Sequence, residues 1–283
     1  MYAMLAKKAE GLSAEIADFT QSAATGQDAA WVGKARANPI EQAMRAVGCD
    51  SVTDDTSHAA GTLLGRGGGP TVLLLDASDA RETGRAGLAV LLHAILLIKR
   101  AFLPMNGHLV VATACGNGNG SQPDWGQLLN ETLPSLDMVP DYAVINEAAP
   151  CESGDVTADW DLLDSAAERN PKRASDGKRI DMRLLDPYYS FLLEARQALT
   201  DAGLEAHPAL PRPPSLGAGT PGGILIGKHG IPTLAYGSVP KNGNPGAPSR
   251  AWTDTLAKGA HGIAVIAHRL AGIPVCGWTL DDI

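Results

Sequence analysis

Cysteine is scarce in this chain of 283 residues: Cys49, Cys115, Cys151 and Cys276 are widely scattered, and no two form a C-x-x-C pair. That density argues against a disulfide framework, and reduced thiols in a cytoplasmic setting are the expectation. Concentrated positive charge is also missing. No Lys/Arg block stands out and the net charge is −8, so nucleic acid is not an expected partner. Near the N-terminus no apolar stretch reaches the length of a signal peptide or a membrane span, and Lys7, Lys8, Glu10, Glu15 and Asp18 interrupt it; no membrane partner is expected. No internal repeat is visible. What is present is 45% hydrophobic content, enough for one large core or two modest ones.

The order of elements is legible from periodicity. Leu5, Leu12, Ile16 and Phe19 recur at helical spacing, with Gly26 as a stop. A second helix is predicted over residues 28–47, from Asp28 to the glycine at Gly48, with Pro39 as a kink or break. Residues 51–65 read as a two-stranded excursion. Thr71-Val-Leu-Leu-Leu-Asp76 is a continuous apolar run, the signature of a strand buried on both faces. A long apolar helix over residues 83–102 follows, then His108-Leu-Val-Val-Ala-Thr-Ala114 and Tyr142-Ala-Val-Ile-Asn-Glu147 as further buried strands. Strands alternating with helices predict an α/β sheet covered on both faces. Residues 152–178 are polar and charged, a surface excursion. Asp186-Pro187 reads as a helix start that Gly203 ends, and residues 206–215, with four prolines, as a rigid linker. A last strand over residues 232–236 and a helix over residues 253–270 complete the chain.

Five segments in this order resemble the M20 family of metallopeptidases and amidohydrolases, which includes aminoacylases, acetylornithine deacetylase and succinyl-diaminopimelate desuccinylase. Gly61-Thr-Leu-Leu-Gly-Arg66 resembles the family's G-N-V-x-G-R strand, and Leu73-Leu-Leu-Asp-Ala-Ser-Asp79 its L-L-x-D-G-H-x-D. Ala86-Gly-Leu-Ala89 is similar to the opening of its D-x-K-G-G-L-A helix. Asp141-Tyr-Ala-Val-Ile-Asn-Glu147 and Gly230-Ile-Pro-Thr-Leu-Ala-Tyr-Gly237 resemble its P-D-x-x-I-x-x-E-P and G-I-P-T-x-x-x-G, with Gly246-Ala-Pro248 where the family writes H-A-P. The resemblance implies a three-layer α/β/α fold with a mixed, mostly parallel sheet of the zinc-exopeptidase type.

The family's chemistry needs two zinc ions held by His and carboxylates, and a Glu as general base on the bridging water. Set against that pattern, Ala77 or Ser78 stands in place of the first His, Asp79 is the adjacent Asp, and the bridging Asp falls at Thr83 beside Glu82. Gly116 and Asn117 occupy the Glu-Glu pair, Glu147 matches a carboxylate ligand, and Gly246 replaces the last His. The resemblance therefore implies no metal site and no cofactor. The lid that active members insert is reduced here to residues 152–185, too short for a domain with its own core, so one catalytic-type domain over residues 1–283 is expected.

Other groups suggest chemistry less strongly. Cys115 ends a buried strand ahead of Gly116-Asn-Gly-Asn-Gly-Ser121, where α/β ligands sit, but a nucleophilic thiol needs a base to activate it; most such cysteines pack as small hydrophobes. His93 reads as a core or interface residue, and His58, beside Asp54 and Asp55, as a solvated turn. The candidate catalytic residues are thus Glu147, Asp79 and Cys115, and the candidate ligand contacts Ser78, Glu82, Gly116, Asn117, Asn119 and Gly246. Three readings stand: a non-catalytic subunit or partner of an active hydrolase, a metal-independent hydrolase working on an amide or acylated amino acid, and a small-molecule binder for such a ligand. A homo-oligomer or a hetero-complex is expected.

Overall fold

The computed structural model of the chain describes residues 2–25, 37–54, 58–77, 86–114, 125–149, 157–158, 182–204, 207–208, 220–240 and 249–272. Two helices, α1 (Tyr2–Ala9) and α2 (Leu12–Thr25), occupy the N-terminal periodic stretch, and their buried Leu5, Leu12 and Ile16 dock it on the body. In α3 (Ala37–Ala46), Pro39 falls in the first turn rather than at a kink. The first N–H groups of a helix have no intrahelical acceptor, so a proline there loses nothing. Gly48, at φ +87°, closes α3 in the left-handed conformation that glycine adopts without a Cβ penalty.

Strands β1 (Ser51–Asp54) and β2 (His58–Leu63) form the antiparallel edge pair expected over residues 51–65. Then come β3 (Thr71–Asp76), α4 (Ala86–Arg100), β4 (His108–Ala114), a run of short helical turns from Trp125 to Leu136, and β5 (Tyr142–Ala149). The second half holds β6 (Thr157–Ala158), α5 (Met182–Asp201), β7 (His207–Pro208), α6 (Pro221–His229), β8 (Thr233–Pro240) and α7 (Arg250–Gly272). The strands form one eight-stranded sheet in the order β1-β2-β4-β3-β5-β8-β6-β7. Its centre, β4-β3-β5-β8, is wholly parallel, while β2 runs antiparallel to β4 and β6 antiparallel to β8. This is the mixed, mostly parallel α/β sheet that the resemblance implies.

Burial explains why those runs are continuous. All six residues of β3 and the five central residues of β4 are buried, as required of strands covered on both faces. Helix α4 is apolar nearly all the way round, and α7 packs along it and on β8. Such helices have no solvent face to mark an amphipathic stripe. At the amino end of the sheet the backbone is packed too closely for any side chain. The N–H of Gly107 donates to the Ala271 carbonyl at 2.7 Å, and a Cβ on Gly107 would fall on the Pro70 carbonyl oxygen. His268 adds a second tie, its Nε2–H donating to the Pro104 carbonyl at 3.1 Å. The C-terminal end of α7 is thereby clamped to the segments that lead into β3 and β4.

Candidate functional site

The parallel strands β3, β4, β5 and β8 all end at one edge of the sheet, the usual place for ligands in α/β folds. The register aligns a polar row just inside that edge. Asp76 on β3 pairs with Thr113 on β4 and with Asn146 on β5, and Asn146 pairs with Tyr236 on β8. All four are buried. Thr113 Oγ1 donates to Asp76 Oδ2 at 3.4 Å, and Asn146 Nδ2 donates to the Gly87 carbonyl at 3.0 Å, in the first turn of α4. The Tyr236 hydroxyl reaches α7, where it occupies the space a Cβ on Gly262 would need. Complete burial pushes this phenol well above its ordinary pKa, so it remains a neutral hydroxyl.

One residue further out the row reads His58, Ala114, Ala77, Glu147, Gly237. His58 pairs with Ala114 and Glu147 with Gly237, while the Ala77 N–H donates to the Asn146 carbonyl at 2.9 Å and so brings Ala77 beside Glu147. Directly after Glu147 the ladder between β5 and β8 slips by one residue. Such bulges gather beside active sites, where they re-aim a side chain or end the pairing. Glu147 lies near the carboxyl end of the central strand β5, at the bulge. The other sequence candidates, Ser78, Asp79, Glu82, Cys115, Gly116, Asn117, Asn119 and Gly246, lie outside the described residues.

His58 differs from its reading as a solvated turn. It is the first residue of β2 and only 2% exposed, because β2 runs antiparallel to β4 and brings its amino end to the carboxyl edge. The acidic neighbours Asp54 and Asp55 hid this, since the pairing that buries His58 is with residues more than fifty positions away.

Among the described residues, this edge does not bring together the ligands of a zinc pair. Tetrahedral zinc needs four ligands within bonding distance of one ion. The outer row offers two alanines between its two ligand-type residues, and His58 and Glu147 stand three strand spacings apart, about 14 Å. Among the described residues no three of His, Cys, Asp and Glu come together in a way that could hold a metal ion.

No known family model and no curated protein sequence matches the chain. Solved structures do. Aminopeptidase PepT from Bacillus cereus ATCC 10987 matches with a TM-score of 0.55 at 12% identity, covering 93% of this chain and 99% of that one. LapA aminopeptidase of Legionella pneumophila matches at 0.58 and 11% identity, over 96% and 74% of the two chains. The Bacillus subtilis YXEP protein, a dinuclear metal binding peptidase from the M20 family, matches at 0.51 and 11% identity, over 83% and 92%. The fold is that of the M20-type peptidases. Among the described residues no helix is long and apolar enough to cross a membrane.

Proposed function

We propose that the chain is an M20-type relative that has given up the zinc pair and serves as a structural or regulatory subunit, self-associated or bound to an active hydrolase. The observation that carries this reading is the outer row at the carboxyl edge, where Ala77 follows β3 beside Glu147 and Ala114 ends β4, one strand further away. The sequence extends the pattern, with Gly116, Asn117 and Gly246 in the family's ligand positions. Only residues 150–181 separate β5 from α5, too few for the lid domain through which active relatives dimerise. Any association must then use another surface, in a cytoplasmic setting given the sparse cysteines.

Sedimentation at low micromolar concentration and co-purification from the native host test the proposal, which expects a self-associated or partner-bound protein. A monomer with no co-purifying chain would overturn it. That outcome favours a second reading, a metal-independent hydrolase acting on an amide or acylated amino acid, which the bulge beside Glu147 supports. Glu147→Gln then separates the roles, because a catalytic carboxylate loses turnover and a packing one loses only stability.

A further inference from the structure

Helices α2, α3 and α4 line a solvent-open cleft of about 330 Å³, away from the carboxyl edge. Ala43 on α3 and Val47 just past its end form one wall, and Phe19 on α2 and Leu92 on α4 the others. The apolar walls meet a polar set with one property in common. Glu15 and Asp18, a turn apart on α2, bring carboxylates, and α4 contributes His93. His93 Nδ1 lies 2.7 Å from the Ala89 carbonyl oxygen. A carbonyl only accepts, so Nδ1 carries the hydrogen and Nε2 of the neutral ring is left as an acceptor. Burial holds the His93 pKa below its ordinary value, which keeps the ring neutral near physiological pH. Phe19 fixes the ring edge-on, with centroids 6.1 Å apart. Arg100 grips Glu15 through both carboxylate oxygens at 2.7 and 2.8 Å, and each oxygen keeps a further lone pair. No Lys, Arg or side-chain amide lines the cleft. Every ionisable group that faces it is an acceptor.

We propose that this cleft is a binding site for a small amphipathic cation, an apolar body of benzyl or short-alkyl size that carries an ammonium group. The ammonium presents three donors to Asp18, Glu15 and His93 Nε2, and the apolar body packs on Phe19, Val47 and Leu92. Ligand size is limited because the volume lies at the low end of small-molecule sites, roughly 300–1,000 Å³. An anionic analogue would set its charge against two carboxylates, and a neutral one would leave the charge complementarity unused.

The test uses the full chain with labelled histidine imidazoles, titrated at about pH 7.5 with benzylamine, benzyl alcohol and phenylacetate. Benzylamine should shift the His93 resonances saturably, and benzyl alcohol should bind about tenfold more weakly. Phenylacetate should have no effect. Asp18→Asn, at an exposed position, should weaken benzylamine about tenfold, and Ala43→Leu should abolish binding by filling the cleft. If Ala43→Leu disturbs the circular dichroism spectrum, Ala46→Leu takes its place. The proposal is overturned by an unsaturable or absent His93 response, by equal binding of phenylacetate, or by binding that persists in the filled-cleft variant.

Discussion

Asp76 and Asn146 are register partners on neighbouring parallel strands, both buried, one turned to the Thr113 hydroxyl and the other to the Gly87 carbonyl. The pair closes the sheet beneath the carboxyl edge and fixes where α4 begins. Asn146→Leu keeps the volume but removes the donor, leaving the Gly87 carbonyl with its bond inside α4 alone. It should cost about 0.5–1.5 kcal/mol, read from urea unfolding midpoints. No measurable change would mean that the Asn146 bond does not help hold α4 on the sheet.

The contact between Gly262 and Tyr236 makes a sharper test of packing. Gly262→Ala should destabilise by about 1–3 kcal/mol, the usual cost of overpacking a well-filled core. Tyr236→Phe in the same chain should recover part of that loss, because the hydroxyl is the atom the new methyl meets first. Denaturation of the two single variants and the double variant supplies the coupling. Strict additivity would contradict the geometry.

Acid should weaken the fold in two stages. His93, His261 and His268 all have their pKa lowered from 6.5, chiefly by burial. The unfolded chain therefore binds protons that the folded chain refuses, and stability falls as pH drops below 6.5. Glu15 acts in the lower window. Its bond to Arg100 lowers its pKa from 4.5, so its contribution is present above that value and is lost as pH falls through the folded pKa. Chemical denaturation across the acid range should show the first decline before any carboxylate titrates. A flat profile from neutrality down to the carboxylate range would contradict the burial of the three histidines.

Sequence patterning exposed most of the sheet and less of its surroundings. The apolar runs at Thr71–Asp76 and His108–Ala114 are β3 and β4 as predicted, since burial on both faces leaves no other composition. Helix α6 went unread although its signals are present. Thr220 caps it through its side chain, Pro221 opens it, and Gly230 closes it at φ +65°. Helix α5 begins at Met182 rather than at Asp186-Pro187, so Pro187 falls inside it and one backbone hydrogen bond is forgone. The position of Glu147 on β5 was legible because it follows the apolar run Tyr142–Ile145. His58 was not, because its burial depends on pairing with β4 and no local pattern records a distant partner.

The central claim is that an M20-type fold persists here without its zinc pair. Elemental analysis of the purified chain, after dialysis against zinc and removal of free metal, tests it most directly. Well under one zinc ion per chain is the predicted result, because in the family resemblance Ala77 or Ser78, Gly116-Asn117 and Gly246 stand where the ligands and the general base would be. Two tightly held zinc ions per chain would contradict it.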